Sequence, residues 1–333
     1  MLIRSMSKSR SAARRSAVAA LLSCIAVLPA LAQSPAFPGK PIRLVVPFGA
    51  GGAVDIVARA LGSEIGKLAG QPVIVENRTG AGGNIAGSFV AKSEPDGYTL
   101  LMASTGMAVN GSLYTNLDYN PDRDLLPIAL VGSVAQLLLM HPSVPVANAS
   151  QLAALAKEKP QSLNFAHGGA GTTEHLAAVL LLEKLGVKVQ LVGYKGGAPA
   201  MTDLIGGHTL LFFTNQLNAL PPLRAGTVKA LAVASPQRSK QLPDIPTFAE
   251  VGLPDFSVEV WWGVMGPAGI PAPTVARLNE LVNQAIATPE FAARLESVGA
   301  RARAGSAAQF DAFFKEESAR WGAIVRAGNI KPD

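Results

Sequence analysis

The chain has 333 residues, 49% of them hydrophobic, with 29 Lys and Arg against 23 Asp and Glu and a single cysteine. Five of the basic residues (Arg4, Lys8, Arg10, Arg14, Arg15) and none of the acidic ones precede position 33, so the remainder stands at 24 against 23. That near-neutral balance gives no basis for a nucleic-acid or membrane-surface partner, and with Cys24 in the same leading segment no disulfide framework can brace the rest.

Residues 1–32 read as a cleaved signal peptide. The basic start is followed by an uncharged stretch, Ser16 to Ala32, that ends in Ala30-Leu31-Ala32 and places Gln33 at the mature N-terminus. Two alternatives stay open. The uncharged stretch, about 17 residues, is near the lower limit for a membrane anchor, and Leu21-Leu22-Ser23-Cys24 resembles a lipobox. Arg14-Arg15 leaves a twin-arginine route open beside the general one. Export to the periplasm is expected; the route is undecided. No later apolar run reaches spanning length.

After the leader, short β-type runs alternate with helical patterns. Ile42–Val46 reads as a strand, then comes a glycine-rich turn, then a helix from about 54 to 69 with Val57, Leu61, Ile65 and Leu68 on one face. Val73–Val75 is a second strand, followed by Thr79-Gly80-Ala81-Gly82-Gly83 and a helix over 84–92. Pro95-Asp96-Gly97 turns the chain into a strand at 98–102. This βαβαβ order predicts a parallel sheet with helices on both faces. The order recurs further on. An apolar run at 135–140, a helix over 150–159 and a strand at 163–166 lead to the loop 167–171 and a helix over 172–185. Strands at 187–192, 210–213 and 228–234 follow, with a short helix at 198–205. A run at 258–265 precedes a helical tail from 273 to about 327. No linker divides the chain, which suits two lobes joined by crossing strands near residues 135 and 260.

Glycine placement carries the functional signal. At residues 48–54, 79–85 and 167–173 a strand gives way to a Gly-rich turn and a helix starts at once. Such a turn presents backbone N–H groups at a helix N-terminus on the C-terminal edge of a sheet, where anions collect. Nucleotide and catalytic templates do not match. Val54 and Ile85 stand where G-x-G-x-x-G needs its last glycine, and no P-loop, G-x-S-x-G or H-E-x-x-H occurs. His141, His167, His175 and His208 lack close metal-ligand spacing. No cofactor, metal or catalytic residue is therefore expected, and the chain reads as a non-enzyme.

Several segments resemble one family. Pro41–Phe48 with Gly51, Gly52 and Asp55 is similar to the opening signature of the Bug-type receptors, the solute-binding proteins of tripartite tricarboxylate transporters. Val75–Ile85 resembles their second signature and Pro95–Leu100 the third. Gly171-Thr172 with His175-Leu176, then Tyr194–Ala200, Arg224-Ala225-Gly226, Leu242–Thr247 and Trp262-Gly263 follow in order.

The resemblance implies an α/β, two-lobed periplasmic binding protein fold, each lobe a mainly parallel sheet flanked by helices. Lobe 1 would comprise 33–135 and 256–333, and lobe 2 residues 136–255, with the ligand cleft between them. It implies capture of a small carboxylate by backbone amides and delivery to membrane subunits, the receptor working as a monomer. Ligand contacts carried over by position are Phe48, Ala50, Gly51, Gly52, Gly82, Asn84, Ser104, Thr105, His167, Ala170, Gly171, Thr172, Thr173 and Thr214. Asp55, Lys195 and His175 are further candidates. The family often has a small hydroxyl residue at His167 and Asp at Thr214. The missing charge at Thr214 turns the expectation from amino acids towards a dicarboxylate or aromatic acid. A periplasmic sensor that presents a carboxylate to a sensor kinase, and a periplasmic enzyme, are the alternatives.

Overall fold

The computed structural model describes residues 37–332; the leader expected over residues 1–32 lies outside them. In chain order, β1 (Ile42–Val46), α1 (Ala53–Ala69), β2 (Val73–Asn77), α2 (Asn84–Ala91) and β3 (Thr99–Ser104) form the opening βαβαβ unit. α3 (Thr105–Leu113) follows β3 without a break, and a single turn, α4 (Pro121–Asp124), leads into the long strand β4 (Leu125–Met140). Then come α5 (Ala149–Glu158), β5 (Asn164–His167), α6 (Thr173–Leu185), β6 (Gln190–Gly193), α7 (Gly197–Ile205), β7 (Leu211–Asn215), α8 (Gln216–Arg224) and β8 (Lys229–Val233). β9 (Glu259–Pro267), α9 (Ala272–Ile286), α10 (Pro289–Ser297), β10 (Arg301–Ala302) and α11 (Ala307–Ala327) complete the chain.

The strands run in the order β2-β1-β3-β9-β4-β7-β5-β6, with β8 and β10 also paired to β4. β1 is parallel to both β2 and β3, and β5 is parallel to both β6 and β7. These two parallel units give the two lobes, and β4 is shared between them. Its residues 125–135 pair antiparallel with β9, and residues 136–140 pair antiparallel with β7. β4 reads as a nearly continuous apolar run because both its faces are covered; only Leu126 and Ala135 are partly exposed. At the crossing the Gln136 N–H donates to Val258 O (3.0 Å), and Gln136 O accepts from the Ala234 N–H (2.7 Å). Three stretches of backbone are thereby tied side by side where the chain passes between the lobes.

The opening helix shows how the sequence selects its packing. Val57, Leu61 and Ile65 recur at helical spacing and are buried, whereas Leu68, predicted on the same stripe, is 41% exposed. Leu68 lies in the final turn, where Gly70 (φ 65°) reverses the chain towards β2 and the stripe is no longer covered. α1, α9 and α10 cover one face of the first lobe's sheet over Leu44, Met102 and Val264. α2, α3 and α11 cover the other over Val45, Leu101 and Met265. In the second lobe α6 packs on Phe165, Leu138 and Phe213, while α7 and α8 pack on Leu137, Ala166 and Phe212. Burying each such Val, Leu or Phe contributes about 1.5–3 kcal/mol, so the two-sided cores fix where the strand ends, and hence the loops, come to lie.

Candidate binding cleft

In the first lobe α1, α2 and α3 start at the C-terminal ends of β1, β2 and β3. In the second, α6, α7 and α8 start at the C-terminal ends of β5, β6 and β7. The first N–H groups of a helix have no partner inside it, and aligned peptide dipoles place about half a positive charge there. The second of these lobes touches the first beside one of these loops. A side chain added at Gly171, in the loop before α6, would lie 2.2 Å from Leu113 Cδ2 at the end of α3.

The β1–α1 loop is held from within. Asp55 Oδ2 accepts from the Gly51 N–H (2.9 Å) and Arg59 Nε (2.9 Å), and Oδ1 accepts from Arg59 Nη2 (3.0 Å) and Asn77 Nδ2 (2.8 Å). Asn77 also donates to Phe48 O (2.9 Å), so β2 anchors the loop that leaves β1. The Arg59 guanidinium is the main cause that holds the Asp55 carboxyl down at about 2, against the opposing effect of burial. Asp55 thus acts as a loop brace. The Gly51 amide, expected to be free, is occupied by it. Phe48 is 37% exposed and Ala50 and Gly52 are exposed beside it.

The β2–α2 loop is an uninterrupted run of left-handed residues: Gly80 (φ 123°), Ala81 (φ 47°), Gly82 (φ 62°) and Gly83 (φ 94°). A side chain in this region costs about 1–2 kcal/mol per residue, so glycine is required at most of these positions. At Gly82 an added Cβ would also lie 2.8 Å from the Tyr114 hydroxyl. Asn84 braces this turn. Its Nδ2 donates to Ala81 O (2.8 Å), and its Oδ1 accepts from Asn110 Nδ2 and the Tyr119 hydroxyl (2.9 Å each). Ser104 caps α3 without a side-chain bond, and Thr105 Oγ1 accepts from the Trp261 N–H (3.1 Å). Both are buried.

Across the cleft, the His167 and His175 rings stack with centroids 4.1 Å apart. His167 Nδ1 accepts from the Gly169 N–H (3.3 Å) and His175 Nδ1 from the Gly171 N–H (3.2 Å). Each Nδ1 therefore faces the loop. Thr172 Oγ1 donates to Gly169 O (2.8 Å) and accepts from the His175 N–H (3.3 Å), closing the turn on the helix start. Ala170 and Thr173 flank it, half-buried. Burial raises the carboxyl of the neighbouring Glu174.

Thr214, at the C-terminal end of β7, takes the strand face opposite to Phe213. Its register partner is Leu137, which puts it on the face covered by α7 and α8, and its hydroxyl is buried with no partner among the described residues. Lys195 is exposed in the turn before α7. Among the described residues no group of three or more His, Cys, Asp or Glu is placed to hold a metal ion, and no helix is long and apolar enough to cross a membrane. The helix starts of α3 and α8 were not predicted, because no glycine-rich turn precedes them. The Gly196 turn before α7, packed on Gly168, was read only as a family motif.

Comparison with known proteins places these features in context. Residues 57–330 match the family described as "Tripartite tricarboxylate transporter family receptor". Protein BugT of Bordetella pertussis is 34% identical over 317 residues, covering 95% of this chain and 97% of that protein. The structure of R. palustris Rpa4515 with adipate has a TM-score of 0.77 at 33% identity, covering 89% of this chain and 100% of that one. MatC (Rpa3494) from Rhodopseudomonas palustris with bound malate has a TM-score of 0.74 at 35% identity, covering 87% of this chain and 100% of that one.

Proposed function

Because the chain belongs to the family of tripartite tricarboxylate transporter receptors, we propose that it captures a small carboxylate, a dicarboxylate or aromatic acid, between its lobes. It then hands the ligand to the membrane subunits of such a transporter. The observation that carries this reading is that in each lobe three helices start directly at the C-terminal ends of parallel strands; in this reading those starts face one cleft. Charge-assisted hydrogen bonds from such amides contribute about 1.5–3 kcal/mol each, so three or four suffice for micromolar affinity, about 8 kcal/mol. The adipate and malate of Rpa4515 and MatC are both dicarboxylates and support the ligand class.

The cleft residues in this reading are Phe48, Ala50, Gly51, Gly52, Gly82, Asn84, Ser104 and Thr105 on one side. His167, Ala170, Gly171, Thr172, Thr173 and Thr214 stand on the other. Asp55, Asn84, Thr172 and the histidine pair act mainly by shaping the loops that present amides. Lobe 1 comprises 33–135 and 256–333, and closure hinges at β4 around residue 135 and at the chain entering β9. Ligand that touches both lobes stabilises the closed state. The protein works in the periplasm as a monomer, exported by its leader. The role assigned to these residues is capture without turnover, so no catalytic residue is proposed.

A thermal-shift screen against succinate, malate, adipate, citrate, aspartate, glutamate, nicotinate and benzoate tests the ligand class, with recovered ligand checked for chemical change. A shift with unchanged ligand supports capture; product formation would instead favour an enzyme. Growth and uptake in a deletion strain, set against its transcriptional response to the ligand, separate transport from sensing.

A further inference from the structure

One cleft-side group is absent from every loop described above. Gln136 is 0% exposed, and among the described residues both its side-chain Nε2 and Oε1 are buried without a hydrogen-bond partner. Buried amides are almost always paired, so these two atoms leave room for bonds from a group outside the protein chain. Its surroundings do not supply them: Leu138 and Met140, two and four residues on and on the same face, belong to the apolar core.

Register fixes where the side chain emerges. Gln136 stands opposite Asn215, and Leu138 opposite Phe213. Alternation along the strands puts Gln136, Leu138, Phe213 and Asn215 on one face. That is the face α6 covers, since Leu176, Ala177 and Leu181 share the cluster with Leu138, Phe165 and Phe213. On β5 the parallel register brings Phe165 beside Leu211, so His167 stands level with Phe213 and the loop 168–172 overhangs the Gln136–Asn215 pair. From the other lobe, Thr105 at the start of α3 holds the Trp261 N–H. Trp261 is three residues, about 10 Å of strand, from Val258, the acceptor of the Gln136 N–H. Gln136 therefore lies buried at the crossing between the lobes, on the strand face that α6 covers, and its partner Val258 is three residues before the N–H that the start of α3 holds.

We infer that Gln136 is a specificity-determining residue of the cleft, binding the second oxygen-bearing group of a dicarboxylate or hydroxy-dicarboxylate whose first carboxylate lies on the helix N-termini. This rests on the carboxylate-capture reading above. A primary amide offers two donors and an acceptor without net charge, which suits a carboxylate or hydroxyl. An aromatic or alkyl tail would leave both amide atoms unpaired, so the inference selects dicarboxylates over benzoate-like acids. The neighbouring Asn215 does not compete for this role, because its Oδ1 caps α8 through the Asn218 N–H (3.2 Å).

The test compares the purified protein and Gln136→Leu by calorimetric titration with matched pairs: succinate with butyrate, and adipate with hexanoate. The inference expects Gln136→Leu to weaken the preferred dicarboxylate about 10- to 100-fold while the monocarboxylate partner is unchanged or tighter. In the same preparation the melting temperature of the unliganded variant should rise by about 2–4 °C, because an orphaned amide gives way to an apolar side chain of similar size. Dicarboxylate affinity equal in the two proteins, or equal losses for both members of a pair, would overturn the role of Gln136 and leave carboxylate capture standing. A lower melting temperature for the variant would show the amide to be a structural tie and would also overturn it. If the unaltered protein binds no carboxylate, the capture reading fails and this inference with it.

Discussion

Asp55→Asn isolates the brace that shapes the first amide-presenting loop. The wild-type carboxylate takes four hydrogen bonds, from Gly51, from two nitrogens of Arg59 and from Asn77, and is almost wholly buried. Its carboxyl sits at about 2 rather than 3.8. A depression of that size corresponds to about 2.4 kcal/mol at 1.36 kcal/mol per unit; because Arg59 is half-exposed and screened, about 1–2 kcal/mol is the expected share. The sign follows from linkage. The folded state holds this proton more weakly than the unfolded chain does, so the stabilisation is complete above about pH 5 and is lost as the pH falls from there to about 2. Asparagine keeps one acceptor and loses the charge. Urea unfolding at pH 7 should show Asp55→Asn less stable by about 1–2 kcal/mol, and the gap should shrink to about a third or less of that at pH 2–2.5. Glu250, held down to about 2 by Arg238, titrates in the same window in both proteins and cancels in the difference. A gap independent of pH, or no gap at pH 7, would refute the brace.

Further perturbations probe the facing loop and the contact between the lobes. Thr172→Val removes the hydroxyl that closes the turn and caps α6, and should cost about 1–2 kcal/mol in urea unfolding and weaken ligand affinity in calorimetry. Gly171→Ala combines φ 73° with a Cβ 2.2 Å from Leu113 Cδ2, and should destabilise by about 1–3 kcal/mol. Adding Leu113→Ala should relieve part of that loss, so a double-mutant cycle should show favourable coupling; additive effects would place the two residues apart.

How much of this was legible in the sequence depended on local signals. The parallel unit β2-β1-β3 followed from short apolar runs broken by glycine turns, and the amide-rich loops followed from the glycines themselves. What glycine could not reveal is which side chains occupy those amides: Asp55 binds Gly51, and His175 binds Gly171, through contacts four residues apart. β4 was read only from residue 135 because Pro127 and Gly132 interrupt its first half. The pairing with β9 absorbs them by shifting register between Pro127 and Ala129 and between Leu130 and Gly132. α3 escaped detection because Gly106, Asn110 and Gly111 weaken its helical preference and it is buried on most sides. α8 escaped because Pro221 and Pro222 lie inside it. The tail predicted as one helical stretch is three helices, cut by the Thr288 cap and by Gly299 before β10. Gln136 was visible as a lone polar residue in an apolar run, yet only strand register shows which face it takes.

Isothermal titration of the protein with succinate, malate and adipate tests the central claim most directly. Carboxylate capture by the facing helix N-termini predicts one-to-one binding of at least one of them at micromolar affinity, with the ligand recovered unchanged. Folded protein that gives no heat with any of them would contradict it.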